Sequence, residues 1–188
     1  MARSIRQEDH LKALVERLDL VTRRAEGLRD TLSSGQLAWR PPRGGWGVDQ
    51  VLHHLVTSNS AYFPGLETLI ASAPRPPRPA DLTWRPSVIG NFMAKALRSP
   101  RRLPAPRPWQ PGPTVPDGVL TAFLTAQVRL RQLVERTSSL SWQTSRIRSP
   151  VSGLLRFNLG DALTILVIHE ERHFGQIDRV RAHPAFPS

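Results

Sequence analysis

Twelve of the eighteen prolines in this 188-residue chain fall between positions 73 and 116. Proline at that density favours extended or polyproline backbone and denies the chain a long helix or an interior strand. The same stretch carries Arg75, Arg78, Arg85, Arg98, Arg101, Arg102 and Arg107 against one acid, Asp81. Only Ser87 to Leu97, with Val88, Ile89, Phe92, Met93 and Leu97, reads as a short helix. The segment is either a connection that wraps the domain, held by Trp84 and Trp109, or a basic lid beside a site. Regular structure must come mainly from the blocks on either side of it.

Those blocks show helical periodicity. From Gln7 to Ser33, Leu11, Leu14, Val15, Leu18, Val21, Ala25, Leu28 and Leu32 recur at three and four, the stripe of an amphipathic helix. It ends at Ser33, Ser34 and Gly35, before paired prolines at 41 and 42. A second helix is expected from Trp46 or Gly47 to about Ser72, kinked or divided at Pro64. A third should run from Asp117 to Ser138 on a stripe of Leu120, Phe123, Leu124, Gln127, Leu130 and Val134. The last, N-capped by Asn158, should end near Ala182. No strand pattern stands out, so the expectation is an all-α four-helix bundle in one domain, 1–188. Short links pair helices one with two and three with four antiparallel. The long 73–116 crossover lets helices two and three run parallel.

The last helix carries the chemistry. His169 and His173 are four residues apart and project from one face. The apolar arc set by Leu159, Ala162, Leu163, Leu166, Ile177 and Val180 includes both, with Glu170 near its middle. Inward-pointing polar groups left unpaired cost about 1–3 kcal/mol each. A metal ion with a bound water would satisfy all three groups; backbone or hydroxyl partners are the plainer alternative. A third ligand would come from another helix, and His53 and His54 lie in the second. The wheel does not choose between them, because they flank its apolar arc on opposite sides.

Composition removes several alternatives. There is no cysteine, which excludes disulfides, thiolate ligands and a cysteine nucleophile. No apolar run approaches the roughly 20 residues that span a bilayer, so a cytoplasmic protein with no membrane partner is expected. The net charge of +11 invites nucleic acid as a partner. Arginine supplies 24 of the 26 basic residues, a skew that a GC-rich genome also produces, and no basic-aromatic RNA signature or zinc-finger spacing accompanies it. Nucleic acid is therefore set aside. His169-Glu-Glu-Arg-His173 is literally HExxH, but the extended protease form requires glycine at 176 and histidine at 179, where Gln176 and Arg179 stand.

Two blocks resemble the DinB-like (YfiT-like) family of metal-binding proteins: L-A-W-R-P-P-R-G-G-W-G-V-D-Q-V-L-H-H-L at 37–55 and H-E-E-R-H-F-G-Q-I at 169–177. The R-F-N-L-G-D-A-L run at 156–163 is also similar to the family's approach to its last helix. The resemblance implies an up-down-down-up four-helix bundle with a three-histidine site, and it matches His54, not His53, to the family's ligand on the second helix, beside His169 and His173. Gly47 departs from the serine or threonine frequent at that position in the family.

Three neutral nitrogen ligands leave an ion its full charge and an open position, the pattern of catalytic zinc. Zinc, nickel, iron and manganese all accept imidazole. Glu170 would orient a water or take its proton, unless it pairs with an arginine of a neighbouring helix. Gln176 and Asn59 are candidates to fix imidazole orientation. Characterised members of the family use low-molecular-weight thiols, and the resemblance implies a metal-dependent thiol S-transferase acting on an electrophile, a metal-assisted hydrolase, or a non-catalytic stress-associated binding protein. It also implies a homodimer.

Overall fold

The computed structural model describes residues 4–76, 82–101 and 103–188. Of the basic crossover, Arg78, Asp81 and Arg102 lie outside the described residues. The chain is mostly helical, as its periodicity requires. α1 spans Gln7–Thr31, and the Ser33-Ser34-Gly35 run that ends it also opens a short helix, α2 (Ser34–Ala38), through a reciprocal cap between Ser33 and Gln36.

The second expected helix is two, α3 (Val48–Ser60) and α4 (Phe63–Ser72). The break falls at Ala61 and Tyr62, ahead of Pro64. Proline sits in the first turn of α4, where the missing N–H would have had no helical partner. α5 (Val88–Arg98) is the crossover's helix, and Arg107–Trp109 form a single 3₁₀ turn. α6 (Val119–Arg136) starts two residues later than expected, after Gly118 at φ +75°, and α7 spans Leu159–Arg181.

Two short ribbons are absent from the sequence expectation. β1 (Ile5–Arg6) pairs antiparallel with β2 (Thr83–Trp84), and β3 (Arg146–Arg148) with β4 (Arg156–Asn158) across the Ser149–Gly153 turn. Strands of two or three residues are too short for alternation to reveal.

α1 and α3 each pack on both α6 and α7, and α5 lies along α7. The buried side chains divide into two apolar clusters. One gathers Leu14, Leu18, Phe63, Leu130, Trp142 and Leu163; the other gathers Val21, Leu28, Leu52, Phe123, Phe174 and Ile177. On α7 the first cluster ends at Val167 and the second begins at Phe174, so His169, Glu170 and His173 occupy the gap between them. Asn59 of α3 and Gln127 of α6 fall in the same gap and are buried. A polar layer thus crosses the core between two apolar blocks.

The N-terminus of α7 is anchored from outside. Asn158 caps it by accepting from the Asp161 N–H at 2.7 Å, and the same oxygen accepts from Trp84 Nε1–H at 2.9 Å. Trp84 therefore fastens the start of the crossover to the helix that carries the histidine pair. Trp109 is only partly buried against the core.

Gly47, the departure from the family pattern, caps α3 with an ordinary φ of −76°. Its reason is space. A Cβ there would meet Arg40 Nη1 and the Trp39 carbonyl at 2.3 Å each. That volume holds the Arg40–Asp49 ion pair, which closes at 2.6 Å.

Candidate metal centre

The middle of α3 and the middle of α7 bring three imidazoles together. His169 Nε2 lies 3.2 Å from His54 Nε2 and 3.1 Å from His173 Nε2. His54 is 1% exposed and His173 8%, whereas His169 is half-buried. These three form the group of residues able to hold a metal ion among the described residues. His53 is not part of it, and its buried Nδ1 has no hydrogen-bond partner among the described residues.

The outer nitrogens decide the tautomers. His54 Nδ1–H donates to the Trp109 carbonyl at 2.8 Å, and His173 Nδ1–H donates to Gln176 Oε1 at 3.0 Å. Each of these rings then presents an unprotonated Nε2 inward. Burial pushes all three imidazoles below the ordinary histidine range: His54 despite the Trp109 carbonyl, His169 well below it, and His173 down to about 3, with the neighbouring His54 adding to the effect. All three are neutral at pH 7.

This donor set fits a cation. The hydrogen of His169 Nε2 can answer one of the two facing lone pairs fully, which leaves the other buried and unsatisfied. An ion accepts all three at once. Zinc–nitrogen bonds of 2.0–2.1 Å in a tetrahedron place the nitrogens about 3.3 Å apart, close to the two separations found. Two of the three rings already have the outer partners that metal-bound histidines require.

Glu170 is fully buried, and its partners are amides rather than an arginine. Its Oε1 accepts from Asn59 Nδ2 and Gln127 Nε2, joining α3, α6 and α7 across the polar layer. Burial pushes its carboxyl up to about 8, against the two amide donors that favour the ion. The neutral acid predominates at pH 7. Glu170 Oε2, Asn59 Oδ1 and Gln127 Oε1 are buried without hydrogen-bond partners among the described residues. Asn59, expected beside an imidazole, is bonded instead to Glu170, whereas Gln176 does hold a ring.

Several contributors escape the sequence. Trp46 packs on the site, its ring centroid 5.0 Å from that of His54 and 6.1 Å, near parallel, from that of His173. Gln127 was visible only as a polar residue within an apolar stripe. Trp109 acts through its backbone, which leaves no mark in a side-chain pattern.

A family model described as the DinB superfamily matches residues 17–177. The chain belongs to the DinB superfamily. The match runs from within α1 to within α7 and so takes in all three histidines. No curated protein and no solved structure matches the chain. No helix among the described residues is long and apolar enough to cross a membrane.

Proposed function

We propose that this DinB-superfamily chain is a metal-dependent enzyme with its ion held by His54, His169 and His173, and that it activates a low-molecular-weight thiol for transfer to an electrophile. The observation that carries the metal is the convergence of three neutral Nε2 atoms whose outer nitrogens are already engaged at His54 and His173. A divalent transition ion bound there supplies Lewis acidity and lowers the pKa of an acidic ligand such as a thiol or water.

Glu170 favours the thiol over water. A hydrolase would draw its nucleophile from water, which the ion must bring from a pKa of 15.7 to about 7, the larger of the two shifts, and a free carboxylate would help to take the proton. The carboxyl next to His169 in sequence is instead committed to Asn59 and Gln127 inside the core. A thiol starts near pKa 8.5 and needs no such base at neutral pH once a cation is beside it. In this reading Gln176 and the Trp109 carbonyl hold the rings, Trp46 walls the site, and half-buried His169 marks the side from which substrate arrives. The same reading takes α1, α3 with α4, α6 and α7 as the members of an up-down-down-up four-helix bundle, with the 73–116 segment as its crossover.

The test is turnover of a small electrophile by metal-loaded protein across a panel of low-molecular-weight thiols. Thiol-dependent turnover that disappears in His173→Ala is expected. Failure with every thiol, alongside hydrolysis of an ester or amide in the absence of thiol, refutes the transferase in favour of a hydrolase.

A further inference from the structure

Arg172 lies one turn beyond His169 and next to His173, yet its guanidinium makes no ion pair among the described residues. It points at backbone. Nη1 donates to the carbonyls of Leu97 and Ser99, and Nη2 to that of Arg101. These carbonyls belong to the end of α5 and the turn after it, where unpaired helical oxygens are normally left to water. One cation on α7 thus fixes the point at which the crossover leaves α5.

From that point the chain runs to Trp109, whose carbonyl accepts from His54 Nδ1–H. Pro104, Pro106 and Pro108 interrupt this run. Each fixes φ, and proline-rich segments behave as semi-rigid spacers rather than slack chain. The far end is itself set by the 3₁₀ turn, closed by the Trp109 N–H to the Pro106 carbonyl at 2.9 Å. Pro104, Pro106 and Pro108 thus limit how much of a displacement at Arg172 the described part of this run can absorb before the Trp109 carbonyl.

We propose that Arg172 is a positioning residue for the centre: it fastens the proline strap so that the Trp109 carbonyl holds the His54 imidazole in its Nδ1–H form, with Nε2 aimed at the ion. This rests on the metal reading above. Direct electrostatics predicts the opposite sign. A cation beside the ligands repels a metal ion, so deleting its charge should tighten binding. Deleting the strap anchor should weaken it, by tenfold or more, as removal of an outer partner of a ligating histidine does.

The experiment compares full-length wild type with Arg172→Gln, Arg172→Lys and Arg179→Gln. Zinc affinity is read by competition with a chelator, and the His54 ring nitrogens by long-range ¹H–¹⁵N NMR on metal-free protein. Arg172→Gln should bind zinc at least tenfold more weakly, and its His54 signals should move from the Nδ1–H form towards a mixture of tautomers. Arg172→Lys, which can still donate to a carbonyl, should recover part of both. Arg179→Gln removes a charge near His173 without touching the strap, and should bind zinc as tightly as wild type or more so. Unchanged His54 signals in Arg172→Gln overturn the proposal whatever the affinity does, and so does undiminished zinc affinity. If wild type takes up no zinc, the metal reading fails separately, and the His54 signals alone decide whether Arg172 positions the ring. Circular dichroism confirms that each variant is folded.

Discussion

Asn158→Ala tests the joint between the crossover and α7. Asn158 is buried, and its single Oδ1 serves two donors, the Asp161 N–H in the first turn of α7 and the indole N–H of Trp84. Losing the cap costs about 1 kcal/mol. Stranding the indole N–H, on a side chain only 2% exposed, costs about 1–3 kcal/mol more. The Asn158 amide nitrogen has no partner among the described residues, so truncation also removes one uncompensated donor and trims the loss. The net is about 1–3 kcal/mol, or a fall in Tm of about 2–12 °C for a chain of this length. The assay is a pair of thermal or urea unfolding series, in wild type and in Trp84→Phe. In the second background the indole N–H is gone, and Asn158→Ala should cost only its cap. Equal cost in both backgrounds, or a cost below about 0.5 kcal/mol in wild type, would refute the shared-acceptor argument.

Other substitutions probe other joints. Gly47→Ser, which installs the residue type frequent in the family, should lower stability by about 1–3 kcal/mol in a denaturant melt, because its Cβ enters the space of Arg40 and the Trp39 carbonyl. His10, whose Nε2–H donates to Thr164 Oγ1 at 2.9 Å, is held down to about 4 by burial and by the charges of Arg17 and Arg98. Its folded-state value lies below the unfolded one, so the unfolded chain binds the extra proton and stability falls as pH drops from about 6.5 to 4. Discounted for its partial exposure the loss is about 1–2 kcal/mol, and His10→Gln should show a flatter decline across that window in melts recorded at stepped pH.

The helices were legible because burial on one face writes a period of 3.6 into the sequence. α1 and the short α5 follow from such patterns, and the cap of α7 from the residue type of Asn158. Pro64 points to a division of α3 from α4 at its own position, and the break falls a few residues earlier, since proline is as well suited to beginning a helix as to bending one. The ribbons left no periodic trace. At the site, periodicity showed that His169, Glu170 and His173 point inward, but it could not say what they meet there. Glu170 finds Asn59 and Gln127, which lie 111 and 43 residues earlier in the chain. The wheel also left His53 and His54 equivalent. Packing separates them, because only His54 reaches the pair on α7 and finds the Trp109 carbonyl behind it.

The most direct test of the metal-centre account is elemental analysis of protein purified without a nickel column, beside His54→Ala and His169→Ala. About one equivalent of a transition metal in wild type, lost in both variants, is the predicted result for a three-imidazole site. No metal in wild type, persisting after reconstitution with zinc, nickel, iron and manganese, would contradict the account and leave the imidazoles as a polar element of the core.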